Sequence, residues 1–248
     1  MKNCAVYKGG IVSYGQGVAI QEGARTLVAA GAWDGILILL EHTPVVTIGR
    51  SGGRENLLAN PRTLTGQGVE VVDTNRGGNI TCHNPGQIVG YPVLNLSRWQ
   101  QDVHWYVRTI EETLIRTLAR FGLNGSRNDH YPGVWLEREK VAAIGVYVKG
   151  WVTSHGFALN VNNDLGLFNA IVPCGIKDFG VTNLTQANCR TSVESVMQMF
   201  REDFGQVFDC TMADIDIFGD GVEFGGECHS GRRETVSQLA VRPSTGSG

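Results

Sequence analysis

No stretch of this 248-residue chain is apolar for long enough to cross a bilayer. The longest apolar run, Gly35 to Leu40, falls far short of the ~20 residues that a spanning helix requires. Met1 to Tyr7 carry neither a long apolar core nor a small-residue cleavage site, so no secretory signal is expected. Charge of one sign is lacking too: 21 Lys and Arg against 24 Asp and Glu leave a formal net charge of -3. A general nucleic-acid surface would need a basic excess, and none is expected here. The six cysteines, Cys4, Cys82, Cys174, Cys189, Cys210 and Cys228, include no C-x-x-C pair, which gives a structural zinc site little support. In a reducing, cytoplasmic setting they are expected to remain thiols. No internal repeat is present.

What is there is an ordinary globular balance, 42% hydrophobic and 18% charged, enough for one substantial core. Gln21 to Trp33 reads as a short amphipathic helix. Ile36 to Glu41, Val45 to Gly49, Val69 to Asp73 and Ile88 to Leu96 read as strands, with Pro44 as a breaker. The clearest helix runs from Asp102 to Phe121, with Asp102 as N-cap and Gly122 as the residue after the C-cap. Gly133 to Leu136, Val141 to Lys149 and Trp151 to Val161 read as antiparallel strands turning at Gly150. A last helix is expected to begin near Thr191, where Thr191-x-x-Glu194 fits a capping box. This mixture predicts an α+β fold, helices packed on a mixed, largely antiparallel sheet. Residues 1–205 are expected to form the catalytic domain. Residues 206–248 are expected to be an extension, a short β element or a mobile tail.

Three segments carry candidate chemistry: Arg76 to Gln87, Lys140 to Gly145, and Thr153 to Ile176. Cys174 lies between Pro173, which fixes chain direction, and Gly175, which permits close approach. A thiol on such a turn suits nucleophilic attack, with the following N–H groups near a developing oxyanion. Taken alone, a cysteine serves more often as a small buried hydrophobe, and a lone lysine such as Lys140 more often as a solvated strand end. Cys82 adjoins His83, but neighbours in a strand face opposite ways. His104 and His130 have no partner pattern and read as surface or packing residues.

Several ordered blocks resemble the lipoyl(octanoyl) transferase family. Arg76-Gly77-Gly78, then Thr81-Cys-His83-Asn-Pro-Gly-Gln87, is similar to its R-G-G-x-x-T-x-H-G-P-G-Q segment. Glu41-His42-x-Pro44, Gly133-Val-Trp135, Lys140-Val-Ala-Ala-Ile-Gly145, Ser154-His-Gly-Phe-Ala-Leu-Asn-Val161 and Pro173-Cys-Gly-Ile176 resemble further blocks in the same order. The resemblance implies the fold of biotin and lipoate protein ligases. It implies octanoyl transfer from octanoyl-acyl carrier protein to a lysine of lipoyl domains of 2-oxoacid dehydrogenases or of glycine-cleavage H protein, without cofactor or metal. It implies Cys174 as acyl acceptor and Lys140 as its acid/base partner. It further implies that Arg76, Gly77, Gly78, His83, Ala143, Ile144, Gly145, His155, Gly156 and Ala158 bind substrate. Two positions depart from the family: Cys82 replaces an aromatic, and Asn84 replaces a glycine. Asn84 is expected to preserve the loop by tolerating positive φ while adding bulk near the acyl site.

Protonated Lys140 would favour the Cys174 thiolate, and after acylation it could take the proton of the incoming amine. Rival readings are an ATP-dependent lipoate-protein ligase, with the Arg76 loop cradling phosphate, an octanoyl amidotransferase between lipoyl domains, and a non-enzymatic carrier-protein binding module.

Overall fold

The computed structural model describes residues 1–173, 179–218 and 223–225. Strand β1 (Lys2–Val12) leads into helix α1 (Tyr14–Ala29). Helix α1 starts seven positions before the expected Gln21, because Ser13 accepts from the Gln16 N–H and the Gln16 side chain bonds back to Ser13. Gly15 and Gly17 disguise this first turn in the sequence, and Gly17 is required: a Cβ there would lie 2.5 Å from the His42 ring. The helix stops at Ala29, short of the expected Trp33, as Gly31 turns left-handed (φ 78°).

There follow β2 (Gly35–His42), β3 (Val45–Ile48), α2 (Pro61–Gly66), β4 (Glu70–Asp73), β5 (Ile80–His83) and β6 (Gln87–Leu94). Helix α3 (Val103–Arg120) is capped by Asp102, which accepts from the N–H groups of His104 and Trp105, and Gly122 leaves it with φ 76°. Next come β7 (Gly125–Arg127), β8 (Gly133–Leu136), β9 (Glu139–Lys149), β10 (Val152–Asn160) and β11 (Gly180–Val181). Gly150 and Trp151 both have positive φ, as the two-residue turn between β9 and β10 demands. Helix α4 (Val193–Val207) is capped by Ser192, not Thr191. The Ser192 oxygen accepts from Ser195, and Glu194 turns to Lys8 instead of closing a capping box. The chain continues through β12 (Cys210–Asp214), β13 (Asp216–Phe218) and β14 (Glu223–Gly225). The strand expected over Asp214 to Phe218 is thus split at Ile215. The expected division between residues 205 and 206 falls inside α4, and β12 joins the main sheet.

The main sheet runs β12-β1-β2-β6-β10-β9-β8-β7, with β11 alongside β9. β1 is parallel to both of its neighbours, and β11 is parallel to β9; the remaining pairs are antiparallel. Both faces are covered, which is why β2 is apolar at nearly every position. Leu37 and Leu39 face α3 and α4, packing with Tyr106, Ile110, Phe200 and Phe204. Ile36, Ile38 and Leu40 face α1, packing with Ile20, Ala24 and Val28. A smaller sheet, β4-β3-β5, has its own core of Val46, Ile48, Leu64, Ile80 and Cys82. Among the described residues, no helix is long and apolar enough to cross a membrane.

Candidate active site

The two sheets meet where the loop after β4 crosses the edge of β9. β8 pairs with β9 only as far as Ala143, so the edge beyond is open to the loop. Gly77 N–H donates to Val146 O at 2.9 Å. The crossing is close: a Cβ on Gly145 would lie 2.7 Å from Gly77 O. Arg76 secures the loop from the other side. Its guanidinium donates to Thr47 O at 2.7 Å, to Thr47 Oγ1 at 2.9 Å and to Gly77 O at 3.0 Å.

This arrangement encloses a cavity of about 440 Å³. Arg76, Gly77, Gly78, His83, Lys140, Ala143, Ile144, Gly145, His155, Gly156 and Ala158 all line it. The loop and strands bring together in space the segments that the sequence keeps far apart. Val89, Tyr91, Val146 and Phe157 add apolar wall. Tyr14 and Tyr91, neither singled out from the sequence, also line it. Tyr14 stacks on His83 and donates to Thr74; it lies in the first turn of α1, ahead of the helix start expected at Gln21.

The buried histidines are held neutral. His83 Nδ1 lies 2.7 Å from Gln87 Oε1, while Gln87 Nε2 donates to Asn160 Oδ1 and Cys82 O. Gln87 therefore fixes the proton on Nδ1. Burial, with the neighbouring His42 ring, pushes the His83 pKa down to about 3. His155 Nε2 lies 2.6 Å from Asn75 Oδ1, and its backbone N–H donates to Gln21. Burial, then the Arg76 charge, pushes its pKa down to about 4. His155 is also left-handed (φ 55°), a conformation costing about 1–3 kcal/mol that the surrounding contacts enforce.

Lys140, buried on β9, donates from Nζ to Pro132 O at 3.2 Å and lies 4.8 Å above the Trp135 ring. Cys174 lies outside the described residues. The described chain runs up to Pro173 before it and resumes at Phe179. Pro173 shares a small pocket with Lys140, Thr81, Ala143 and Ala158. On the far side, Val181 of β11 pairs with Lys140, and Thr182 N–H donates to Lys140 O.

The two departures from the family pattern sit away from the cavity lining. Asn84 is not left-handed; Gly86 is (φ 90°). The Asn84 side chain turns to Asp164 O at 2.8 Å and accepts from Asn163. Cys82 points opposite to His83, into the small-sheet core, with its thiol 3.6 Å from Leu167 O. His104 and His130 are exposed.

Residues 13–205 match the lipoyl protein ligase A/B catalytic domain. The chain belongs to that family. Within it, the chain is 44% identical over 217 residues to an octanoyltransferase of Caldanaerobacter subterraneus, covering 88% of this chain and 95% of that one. It is 43% identical over 199 residues to an octanoyltransferase of Clostridium kluyveri, covering 80% and 85%. The fold matches that of a bipartite lipoate protein ligase from Thermoplasma acidophilum, with a TM-score of 0.71 at 16% identity over 89% of each chain.

Proposed function

We propose that this protein transfers an octanoyl group from acyl carrier protein, through a thioester on Cys174, to a lysine of a lipoyl domain or of glycine-cleavage H protein. The carrying observation is the place of Lys140. It is an amine at the end of a largely apolar cavity, on the strand that β11 pairs with and beside Pro173, the residue before Cys174. The octanoyltransferase relatives support the same reading.

In the first half-reaction the Cys174 thiolate attacks the donor carbonyl. The new C–S bond forms as the C–S bond to the carrier breaks, and the carrier thiolate leaves, taking the proton of Lys140 and leaving that amine neutral. In the second, the acceptor amine attacks the acyl-enzyme. Lys140 takes the amine proton, and Cys174 leaves as thiolate. Exchange of one thioester for another is near balance, so no nucleotide is needed. Arg76, Gly77 and Gly78 shape the cavity wall, with Gly145 admitting the loop. Ala143, Ile144, Gly156 and Ala158 border the acyl chain; His83 and His155 contribute neutral polar edges. Burial of about six methylenes at ~0.8 kcal/mol each favours the medium chain by roughly 5 kcal/mol. A reducing cytoplasm suits a mechanism that depends on a thiolate.

The test is octanoyl transfer from carrier protein to a lipoyl domain in the absence of nucleotide. Transfer at an undiminished rate without ATP supports the reading. Transfer only from free octanoate with ATP would establish a ligase instead. Octanoyl-lipoyl domain outcompeting the carrier as donor would establish an amidotransferase.

A further inference from the structure

We infer that Glu111 is a positioning residue for Lys140, acting through the peptide group that joins Pro132 to Gly133. The inference rests on the proposed role of Lys140. Glu111 lies in α3, and its side chain is 1% exposed. One carboxylate oxygen accepts from Gly133 N–H at 2.9 Å. The carbonyl of the same peptide group, Pro132 O, accepts from Lys140 Nζ at 3.2 Å. The anion and the cation therefore sit at opposite edges of one amide group. A charged acceptor on the N–H polarises the amide and makes its carbonyl a stronger acceptor for the ammonium.

The surroundings are built for this relay. The other Glu111 oxygen is held by Arg108 at 2.9 Å and Arg127 at 3.4 Å, which fix the rotamer and leave the first oxygen to Gly133. Gly133 itself has φ 133°, and a Cβ on it would collide with Ala142 O. No other residue could present this amide to both partners. The Trp135 face beneath Lys140 holds the amine from a second direction. Glu111 touches no reacting atom. Its effect is to hold the protonated amine at the Pro132 end of the cavity.

The test is competitive labelling of the whole protein with trace acetic anhydride across a pH series, read at the Lys140 peptide by mass spectrometry. The midpoint of the labelling curve reports the proton on the amine and does not depend on reagent access. Glu111→Gln keeps the shape and removes the charge. Its midpoint is expected to move down by about one unit, equivalent to about tenfold faster labelling below the midpoint, as befits losing a charged hydrogen-bond partner. Glu111→Ala is expected to shift at least as far. If it does not fold, Glu111→Gln decides alone. Arg127→Gln loosens the ion pair but spares the Gly133 contact, and is expected to label like the parent. A parent-like midpoint in Glu111→Gln, or an equal shift in Arg127→Gln, overturns the inference. Undiminished amine transfer in Lys140→Ala would instead overturn the catalytic reading of Lys140, and leaves the labelling result standing.

Discussion

The Tyr91 hydroxyl lies 2.6 Å from His42 Nε2, a buried pair that joins the cavity wall to the core beneath it. His42 Nδ1 faces Val12 O at 3.1 Å, so it carries the proton and Nε2 accepts from Tyr91. Burial lowers the His42 pKa and keeps the ring neutral. Tyr91→Phe removes the donor and strands a buried acceptor. It should destabilise the protein by about 1–3 kcal/mol, measured by urea unfolding at neutral pH.

The neutral histidines make stability depend on pH. His83 and His155 are pushed down to about 3 and about 4 in the fold, against about 6.5 when unfolded. The unfolded chain therefore binds more protons between these values. The stability that the neutral rings contribute is complete above pH ~6.5 and is lost as pH falls toward the folded values. Each ring contributes a slope of up to ~1.4 kcal/mol per pH unit in that window. Unfolding in urea at pH 7 and pH 5 should show the loss, and His83→Gln should reduce it.

Ala143 and Ala158 face each other across β9 and β10, both at the cavity. Ala143→Leu fills space beside Lys140 and Pro173, at the reacting end of the cavity. It crowds the place where the carbonyl of any acyl chain must sit, and overpacking of about 1–3 kcal/mol should lower octanoyl transfer about tenfold or more. The readout is kcat/KM for octanoyl carrier protein, with urea unfolding as the control for the fold.

Gly145→Ala sets a methyl against Gly77 O, where backbone meets backbone. The loop must lift from β9. The expected cost is about 1–3 kcal/mol of stability, with a larger loss of acyl transfer as Arg76 to Gly78 leave the wall. Calorimetry and single-turnover kinetics measure the two effects separately.

Where local chemistry decided the structure, the sequence was readable. Helix α3 has its Asp102 cap, its apolar stripe and its Gly122 stop, and forms where they indicate. The α+β class and largely antiparallel sheet followed from strands separated by clear breakers. The start of helix α1 is hidden because Gly15 and Gly17 weaken the helical pattern, yet Gly17 is needed against His42. Strand β1 is not legible in the sequence because Lys8, Gly9 and Gly10 interrupt its alternation, and only pairing with β2 and β12 makes it a strand. The cavity residues lie on elements whose proximity is tertiary, so spacing could not join them; the ordered family blocks did. Tyr14 and Asn75 line up with the histidines only after the loop crosses β9. Glu111 reaches Lys140 through a backbone amide, a link that no side-chain pattern records.

The central claim, a thioester on Cys174 discharged with the help of Lys140, is tested most directly by intact-mass measurement after mixing with octanoyl carrier protein. The wild type should gain one octanoyl group and lose it on adding a lipoyl domain. Lys140→Ala should be slower to release the group to the acceptor lysine, and Cys174→Ala should never acquire it. An octanoyl adduct that persists in Cys174→Ala, or acceptor transfer undiminished in Lys140→Ala, would contradict the account.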